Sequence, residues 1–188
     1  MEEFLKSYVD KQEEDLAEKA LNHFNENKEQ YISNLFNCFY VCEQQANILR
    51  EKGLKTDTVS ITISFMLTSL MTKQYELKID AFDTNGALDL AECSSYYSYE
   101  YLGKVYEELT NSFEKTLREK FTRIKKYELD ILTMRYHTIL FNIIKYLLNT
   151  ILIDEECIDK LFALNLSKLS FIGYGYYLNK QELLVEMM

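Results

Sequence analysis

The sequence predicts an α+β protein in which long helices pack on an antiparallel β-sheet. Residues 127–153 are apolar around most of a helix, which must therefore be covered by protein. Residues 58–92 instead alternate apolar and polar side chains at the period of β-strands. We expect 127–153 to be the central helix, with its few polar residues forming one narrow seam: Arg135, Thr138, Asn142, Lys145 and Asn149.

A chain of 188 residues favours one domain, here 1–188. Residues 2–51 have helical spacing of apolar side chains, with a weak helix-forming segment at 22–27. Gly53 stands where a helix stop is expected. The sequence therefore predicts a long N-terminal helical segment with a possible break.

Two alternating runs, 59–65 and 75–81, predict an antiparallel hairpin joined by a short polar segment. The Asn85-Gly86 pair favours a tight turn, because both residues tolerate positive φ angles. Residues 87–93 could then form a third strand, which completes a β-meander over 58–92.

Helical spacing resumes over 97–153, and Asp154 is a good N-cap for a short helix over 155–165. The aromatic segment that follows predicts C-terminal strands within 169–187. A capping box between Asn179 and Glu182 would instead make the last segment helical. We favour a C-terminal hairpin.

A net charge of −9 makes nucleic-acid binding unlikely, because such proteins usually carry a basic surface. Six basic residues against Glu119 alone in 115–126 could still bind an acidic partner, although a solvated helix face is the simpler interpretation. Arg135 and Lys145 disfavour a membrane-spanning role for the central helix. The N-terminal residues do not resemble an export signal, so we expect a cytoplasmic protein with reduced thiols.

The acidic segment 81–92 partly matches a twelve-residue calcium loop. Its first ligand position is Ala81, which has no side-chain oxygen, and the residues before it alternate like a strand. A β-turn with acidic neighbours is the structural alternative. The metal ligands that this pattern predicts are Asp83, Asn85, Asp89 and Glu92.

Cys38 and Cys42 lie four residues apart on one helix face, so both thiolates could bind one metal ion. Cys93 and Cys157 would complete a tetrahedral site only if the fold brought them close. Free cysteines are commonly buried, so core filling is the structural alternative.

The chain lacks a nucleophile elbow, a phosphate-binding loop and a zinc-binding His-Glu-x-x-His motif. His137 lies in the apolar helix and His23 in a polar segment, and a single core histidine is usually a hydrogen-bonded packing residue. We therefore predict no catalytic residue and no cofactor, and we favour a non-enzymatic function.

Two clusters of tyrosines are the best candidates for a protein interface, because tyrosine combines a large apolar area with a polar tip. Packing at the edge of the core is the structural alternative. The clusters consist of Tyr96, Tyr97, Tyr99 and Tyr101 and, near the C-terminus, of Tyr174, Tyr176 and Tyr177.

The segments ISFMLTSLMTKQYELKIDAFD (63–83), LDLAEC (88–93) and IGYGYYLNK (172–180) together resemble a family of uncharacterised proteins of low-GC Gram-positive bacteria. The resemblance covers about a third of the chain and implies a long N-terminal helix, a strand pair and an acidic turn. The chain departs from the family at Met66-Leu67 and lacks a glutamate at Gly175-Tyr176. No established activity is transferred.

These observations predict a protein-binding or assembly module that forms a homodimer, because the central helix has more apolar circumference than a short chain easily covers. The alternative is a small metal- or ligand-binding protein that uses the acidic turn 83–92 or the cysteines.

Overall fold

The computed structural model describes residues 2–86, 91–120, 125–163 and 171–186. Within these ranges the chain forms six helices and five strands, which confirms the α+β class. The helices are α1 (Glu2–Glu26), α2 (Lys28–Glu51), α3 (Leu67–Met71), α4 (Glu100–Lys120), α5 (Lys126–Leu152) and α6 (Glu155–Ala163). The strands are β1 (Ser60–Phe65), β2 (Glu76–Phe82), β3 (Ser94–Ser98), β4 (Phe171–Tyr176) and β5 (Gln181–Glu186).

The chain divides into two compact units. The first contains Met1–Glu26 and Glu100–Leu147, and the second contains Asn27–Tyr99 and Leu148–Met188. Helix α5 therefore contributes to both. The prediction of one domain over 1–188 stays a prediction.

In the first unit α1, α4 and the first part of α5 pack around Phe113. Its ring lies 5.3 Å from the ring of Tyr8 and 5.2 Å from that of Tyr136. The Tyr136 hydroxyl donates a hydrogen bond to Gln12 Oε1 (3.0 Å), and Gln12 Nε2 donates to the Tyr8 hydroxyl (3.2 Å). The Tyr8 hydroxyl also lies 3.3 Å from Thr116 Oγ1 of α4. This chain of largely buried polar groups therefore joins all three helices, and such networks specify how helices align.

The central helix is confirmed as α5, and its apolar side chains between Tyr136 and Leu152 are largely buried. Of the polar seam, Arg135, Thr138 and Asn142 are exposed and Lys145 and Asn149 are partly exposed. The chain itself thus covers most of the circumference of α5 between Tyr136 and Leu152. The homodimer prediction consequently needs a basis other than this helix.

The second unit is built around a five-stranded sheet with the order β3-β2-β1-β4-β5. The antiparallel hairpin of β1 and β2 is confirmed, and so is the antiparallel hairpin of β4 and β5. However, β4 pairs with β1 in parallel, so the sheet is mixed rather than antiparallel throughout. Side-chain alternation is the same for both directions, and therefore it did not reveal this pairing.

The third strand lies later than predicted. Residues 87–90 fall outside the described ranges, and β3 is Ser94–Ser98, so helix α4 begins at Glu100 and not at Tyr97. In addition, the join between β1 and β2 contains the short helix α3. Both differences arise where a few aromatic or apolar residues fit a strand and a helix equally well.

Three helix boundaries agree with the sequence. The predicted break within 22–27 occurs at Asn27, between α1 and α2. Gly53 follows α2 with φ +69°, and its N–H donates to the carbonyl of Arg50 (2.9 Å). Asp154 caps α6, since its carboxylate accepts the N–H of Glu156 (3.2 Å).

Candidate functional site

The predicted calcium turn is held by hydrogen bonds within the protein. Asp83 is almost fully buried, and its carboxylate accepts the backbone N–H groups of Thr56 (3.0 Å) and Asn85 (2.8 Å). Burial alone would raise the pKa of Asp83, but these hydrogen bonds hold the pKa below its usual value. The carboxylate thus ties the turn to the segment before β1.

The remaining predicted metal ligands are separate from this arrangement or undescribed. Glu92 is exposed and forms an ion pair with Lys78 (2.7 Å), which lowers the pKa of Glu92. Asp89 lies outside the described residues. Across the described ranges, no group of three or more His, Cys, Asp or Glu side chains is arranged to hold a metal ion. Calcium binding stays a prediction.

The cysteines of α2 bind the sheet instead of converging on a metal. The Cys38 thiol donates to the carbonyl of Tyr96 (3.4 Å), and the Cys42 thiol lies 3.3 Å from Ser95 Oγ. Burial raises the pKa of Cys42 to about 12, so its thiolate, the form that binds zinc, is disfavoured. Burial also raises the pKa of Cys157, which is fully enclosed.

These contacts close one edge of the sheet. At the outer edge of β3, Gln45 Oε1 accepts the backbone N–H of Ser94 (2.8 Å), while Cys38 satisfies the carbonyl of Tyr96. Polar side chains of α2 therefore take the place of a neighbouring strand. An edge covered in this way is protected from pairing with another chain.

The seven candidate interface tyrosines separate into buried and exposed groups. Tyr97, Tyr99 and Tyr174 are buried, and Tyr99 packs on Phe65 with ring centres 6.0 Å apart. Tyr176 is partly exposed. The exposed members are Tyr96, Tyr101 and Tyr177, and Tyr101 stacks on His23 at 3.6 Å within the first unit.

Lys78 and Ser64 are cross-strand neighbours on one face of the sheet. In some enzymes a neutral lysine next to a serine acts as the base that activates the serine hydroxyl as a nucleophile. The ammonium of Lys78, however, contacts Asp80 (2.9 Å) and Glu92 (2.7 Å) and lies 5.0 Å from the ring centre of Tyr177. Burial opposes its charge, but the hydrogen bonds to Glu92 and Asp80 raise the pKa of Lys78. A lysine held protonated is unsuited to activate a serine.

His137 also lacks catalytic surroundings among the described residues. Its Nδ1 is buried without a hydrogen-bond partner there, and burial lowers its pKa. A cleft of about 180 Å³ in the first unit is lined by residues of α4 and α5, among them Tyr106, Glu114 and Tyr136. His137 is not among the described residues that line this cleft. The cleft and His137 therefore do not form a common acid–base site.

The C-terminal hairpin, residues 171–186, exposes several large apolar side chains: Phe171, Tyr177, Leu178 and Leu183. Leu178 at its tip is 88% exposed and has φ +58°, in the left-handed region that leucine rarely adopts. A Cβ on Gly175 would lie 2.6 Å from the Lys180 carbonyl oxygen, so glycine is needed for the close approach of these two backbone segments. Tyr177 belongs to the predicted tyrosine clusters, whereas no sequence pattern indicated Leu178 or Leu183.

The outer edge of β5 is unsuited to simple strand addition. Gly173 pairs with Leu183 and Ile172 with Val185, which leaves Leu184 as the extra residue of a β-bulge. Glu186 ends the strand with a negative charge. Bulges and edge charges both discourage pairing between sheets. The hairpin therefore presents its side chains, and its tip above all, as a contact surface.

A groove runs between α2 and α6 in the second unit, with a volume of about 390 Å³. We call it the α2–α6 groove. The apolar side chains of Ile32 and Phe36 line it, and the Lys160 ammonium lies 6.0 Å from the ring centre of Phe36. Its remaining lining residues are Glu29, Ser33, Asn37 and Glu156.

No protein-family model, curated protein or solved structure matches this chain. The resemblance to low-GC Gram-positive proteins accordingly stays a prediction. Among the helices of the described ranges, none has the length and apolar character needed to cross a membrane.

Proposed function

We propose that this protein is a non-enzymatic assembly module that self-associates through its C-terminal hairpin. The observation that carries the proposal is Leu178. This side chain is 88% exposed and its backbone lies in the left-handed region, at φ +58°. The left-handed backbone belongs to the hairpin turn, in which the Asn179 N–H donates to the Tyr176 carbonyl (3.0 Å), but the exposed leucine side chain gives an isolated subunit no packing benefit.

The cost of this arrangement is appreciable for a single residue. A left-handed backbone costs an L-residue with a Cβ roughly 1–2 kcal/mol. An exposed leucine also forgoes the roughly 1.5–3 kcal/mol that full burial provides. Backbone strain of this kind concentrates at functional positions, and a partner surface that buries Leu178 would recover the second contribution.

The neighbouring side chains extend the same surface. Tyr177 precedes Leu178 and is also exposed, while Phe171 and Leu183 expose apolar atoms further along the hairpin. Aromatic side chains that an interface buries near its centre often supply much of its binding energy, and Tyr177 is an aromatic side chain. The tip therefore has the composition expected of a contact surface.

Replacing Leu178 with Asn tests the proposal. Asparagine adopts the left-handed conformation readily and is polar, so the folded subunit is expected to be equally stable or more stable. Self-association, measured by sedimentation velocity over a concentration series, is expected to weaken at least about tenfold, which corresponds to ~1.4 kcal/mol.

Leu54→Asn is the matched control, because Leu54 is 64% exposed but lies outside the hairpin. This variant should associate like the wild type. A wild-type protein that remains a monomer at every concentration would refute the proposal. Equal association of the Leu178→Asn variant and the wild type would refute it as well.

A further inference from the structure

We infer that the hairpin tip of one copy docks into the α2–α6 groove of a second copy. This inference rests on the proposed function and names the receiving surface. It depends on two features of the second unit: a protruding apolar tip and a groove whose lining is complementary in chemistry.

The first argument is the match of apolar surfaces. Leu178 projects from the tip, and the largely buried Ile32 and Phe36, which are 8% and 9% exposed, present only their accessible edges to the groove. The volume of about 390 Å³ falls within the roughly 300–1,000 Å³ range of pockets that enclose small ligands. The groove thus has room for a leucine side chain together with part of its neighbours.

The second argument is the match of charges. Lys180 is exposed two residues after Leu178, and Glu29 and Glu156 supply carboxylates to the groove. Docking of Leu178 would bring the ammonium of Lys180 towards these carboxylates. Opposite charges at the rim of an interface favour the correct partner and accelerate association.

Lys160 is the one basic side chain in the described lining of the groove. It is exposed, and its ammonium lies 6.0 Å from the ring centre of Phe36. A cation–π contact at such a site is worth about 0.5–1 kcal/mol. The flexible Lys160 side chain can therefore rotate away from Phe36 at small cost when an apolar side chain arrives.

The occupant has to come from another molecule, because Leu178 is 88% exposed within its own chain. If two copies exchange tips reciprocally, the contacts close into a dimer with two-fold symmetry. A tip-to-groove contact that did not close would produce open chains of subunits. The predicted homodimer corresponds to the closed arrangement.

A complementation experiment tests the pairing of tip and groove. One variant carries Leu178→Asn and has a defective tip, and a second carries Glu29→Lys and Glu156→Lys and has a defective groove. Each variant alone is expected to be monomeric at concentrations where the wild type is dimeric. An equimolar mixture should form a heterodimer, because one wild-type tip meets one wild-type groove. Sedimentation velocity with one fluorescently labelled variant measures this association.

A charge exchange within one chain provides the second arm. Adding Lys180→Glu to the groove variant restores opposite charges at both contacts of a closed dimer. Self-association is therefore expected to recover to within about tenfold of the wild type, and increasing salt should weaken it. Circular dichroism and thermal unfolding of every variant establish that the subunits are folded.

The outcomes separate the inference from the proposed function. A groove variant that dimerises like the wild type, while the tip variant does not, overturns the inference and leaves the hairpin proposal intact. A mixture and a charge-exchanged variant that both remain monomeric also overturn the inference. A tip variant that dimerises normally overturns the proposed function and the inference together.

Discussion

The two outer regions of the sheet, β3 and the C-terminal hairpin, have different surroundings within the subunit. At β3 the side chains of Gln45 and Cys38 satisfy outward backbone groups of Ser94 and Tyr96, and Tyr97 is buried beneath α2. At the opposite end the C-terminal hairpin leaves Tyr177 and Leu178 exposed. The subunit thus satisfies outward backbone groups at one edge, although the Tyr96 side chain there is 54% exposed, and the other edge ends in an apolar surface.

This contrast explains why tyrosine content alone was a poor guide to an interface. Tyr97 and Tyr177 are the same residue type in outer regions of the same sheet, yet one is enclosed and the other is accessible. Their different surroundings arise because α2 packs on β2 and β3, whereas the tip of the hairpin lies beyond the last pair of β4 and β5. Association should therefore depend on the hairpin and stability on the β3 edge.

The largest expected effect is that of Tyr97→Ala. Tyr97 is 4% exposed, so removal of its ring should lower the free energy of unfolding by about 3–5 kcal/mol. Tyr177 is 43% exposed and its ring lies 5.0 Å from the Lys78 ammonium, so Tyr177→Ala should lower this free energy by only about 0.5–1 kcal/mol. Urea denaturation under monomeric conditions measures both values, and equal losses would remove the distinction between the two edges.

A smaller effect is expected for Gly175→Ala in the hairpin. The added Cβ would lie 2.6 Å from the Lys180 carbonyl oxygen, so the backbone must shift at a cost of about 1–3 kcal/mol. Gly173→Ala is the control, because its nearest contact is the Gln181 side chain at 3.2 Å. Thermal unfolding should show the larger decrease in Tm for Gly175→Ala. The reverse order would contradict the described hairpin geometry.

Gln45→Ala examines the closed edge itself. Loss of the amide oxygen leaves the Ser94 N–H without its protein acceptor, which should cost about 1 kcal/mol. Gln44→Ala alters an exposed neighbour on α2 and should have no measurable effect. Chemical denaturation compares the two variants, and hydrogen exchange at Ser94 should accelerate only in Gln45→Ala. Unchanged exchange would show that Gln45 does not protect this edge.

An effect of similar size at neutral pH, and a smaller one in acid, is expected at the turn after β2. The pKa of Asp83 lies below its ordinary value of 3.8, so the ionised carboxylate stabilises the fold above that pH. This contribution is lost as the pH falls through the folded-state pKa. Asp83→Asn should therefore cost about 1 kcal/mol near neutral pH and progressively less in acid. Asp159→Asn, at an exposed carboxylate of α6, is the control, and a pH-independent difference would contradict the assignment.

Local sequence patterns predicted the elements more reliably than their connections. Alternation identified β1 and β2, helical spacing identified α5, and Asp154 and Gly53 marked helix boundaries. The parallel contact between β1 and β4 was missed because it joins residues about 110 positions apart, and side-chain periodicity carries no information on strand direction.

The candidate site shows the same division. Asp83 and Cys38 have side chains suited to metal binding, but tertiary contacts give them hydrogen-bonding roles at a turn and at a sheet edge. Leu178 and Leu183 carry no motif, and their importance depends on exposure and, for Leu178, on φ. Neither property follows from residue type.

The sequence by itself determined most of the helices and strands, α3 and the position of β3 excepted, and it determined that 127–153 would be a largely buried helix. These outcomes depend on the spacing of apolar side chains along the chain. Only the tertiary structure decided which edge of the sheet has its backbone groups satisfied by α2, which tyrosines are accessible and that Leu178 stands at an exposed hairpin tip. Those properties depend on contacts between residues far apart in sequence, and local periodicity does not encode them.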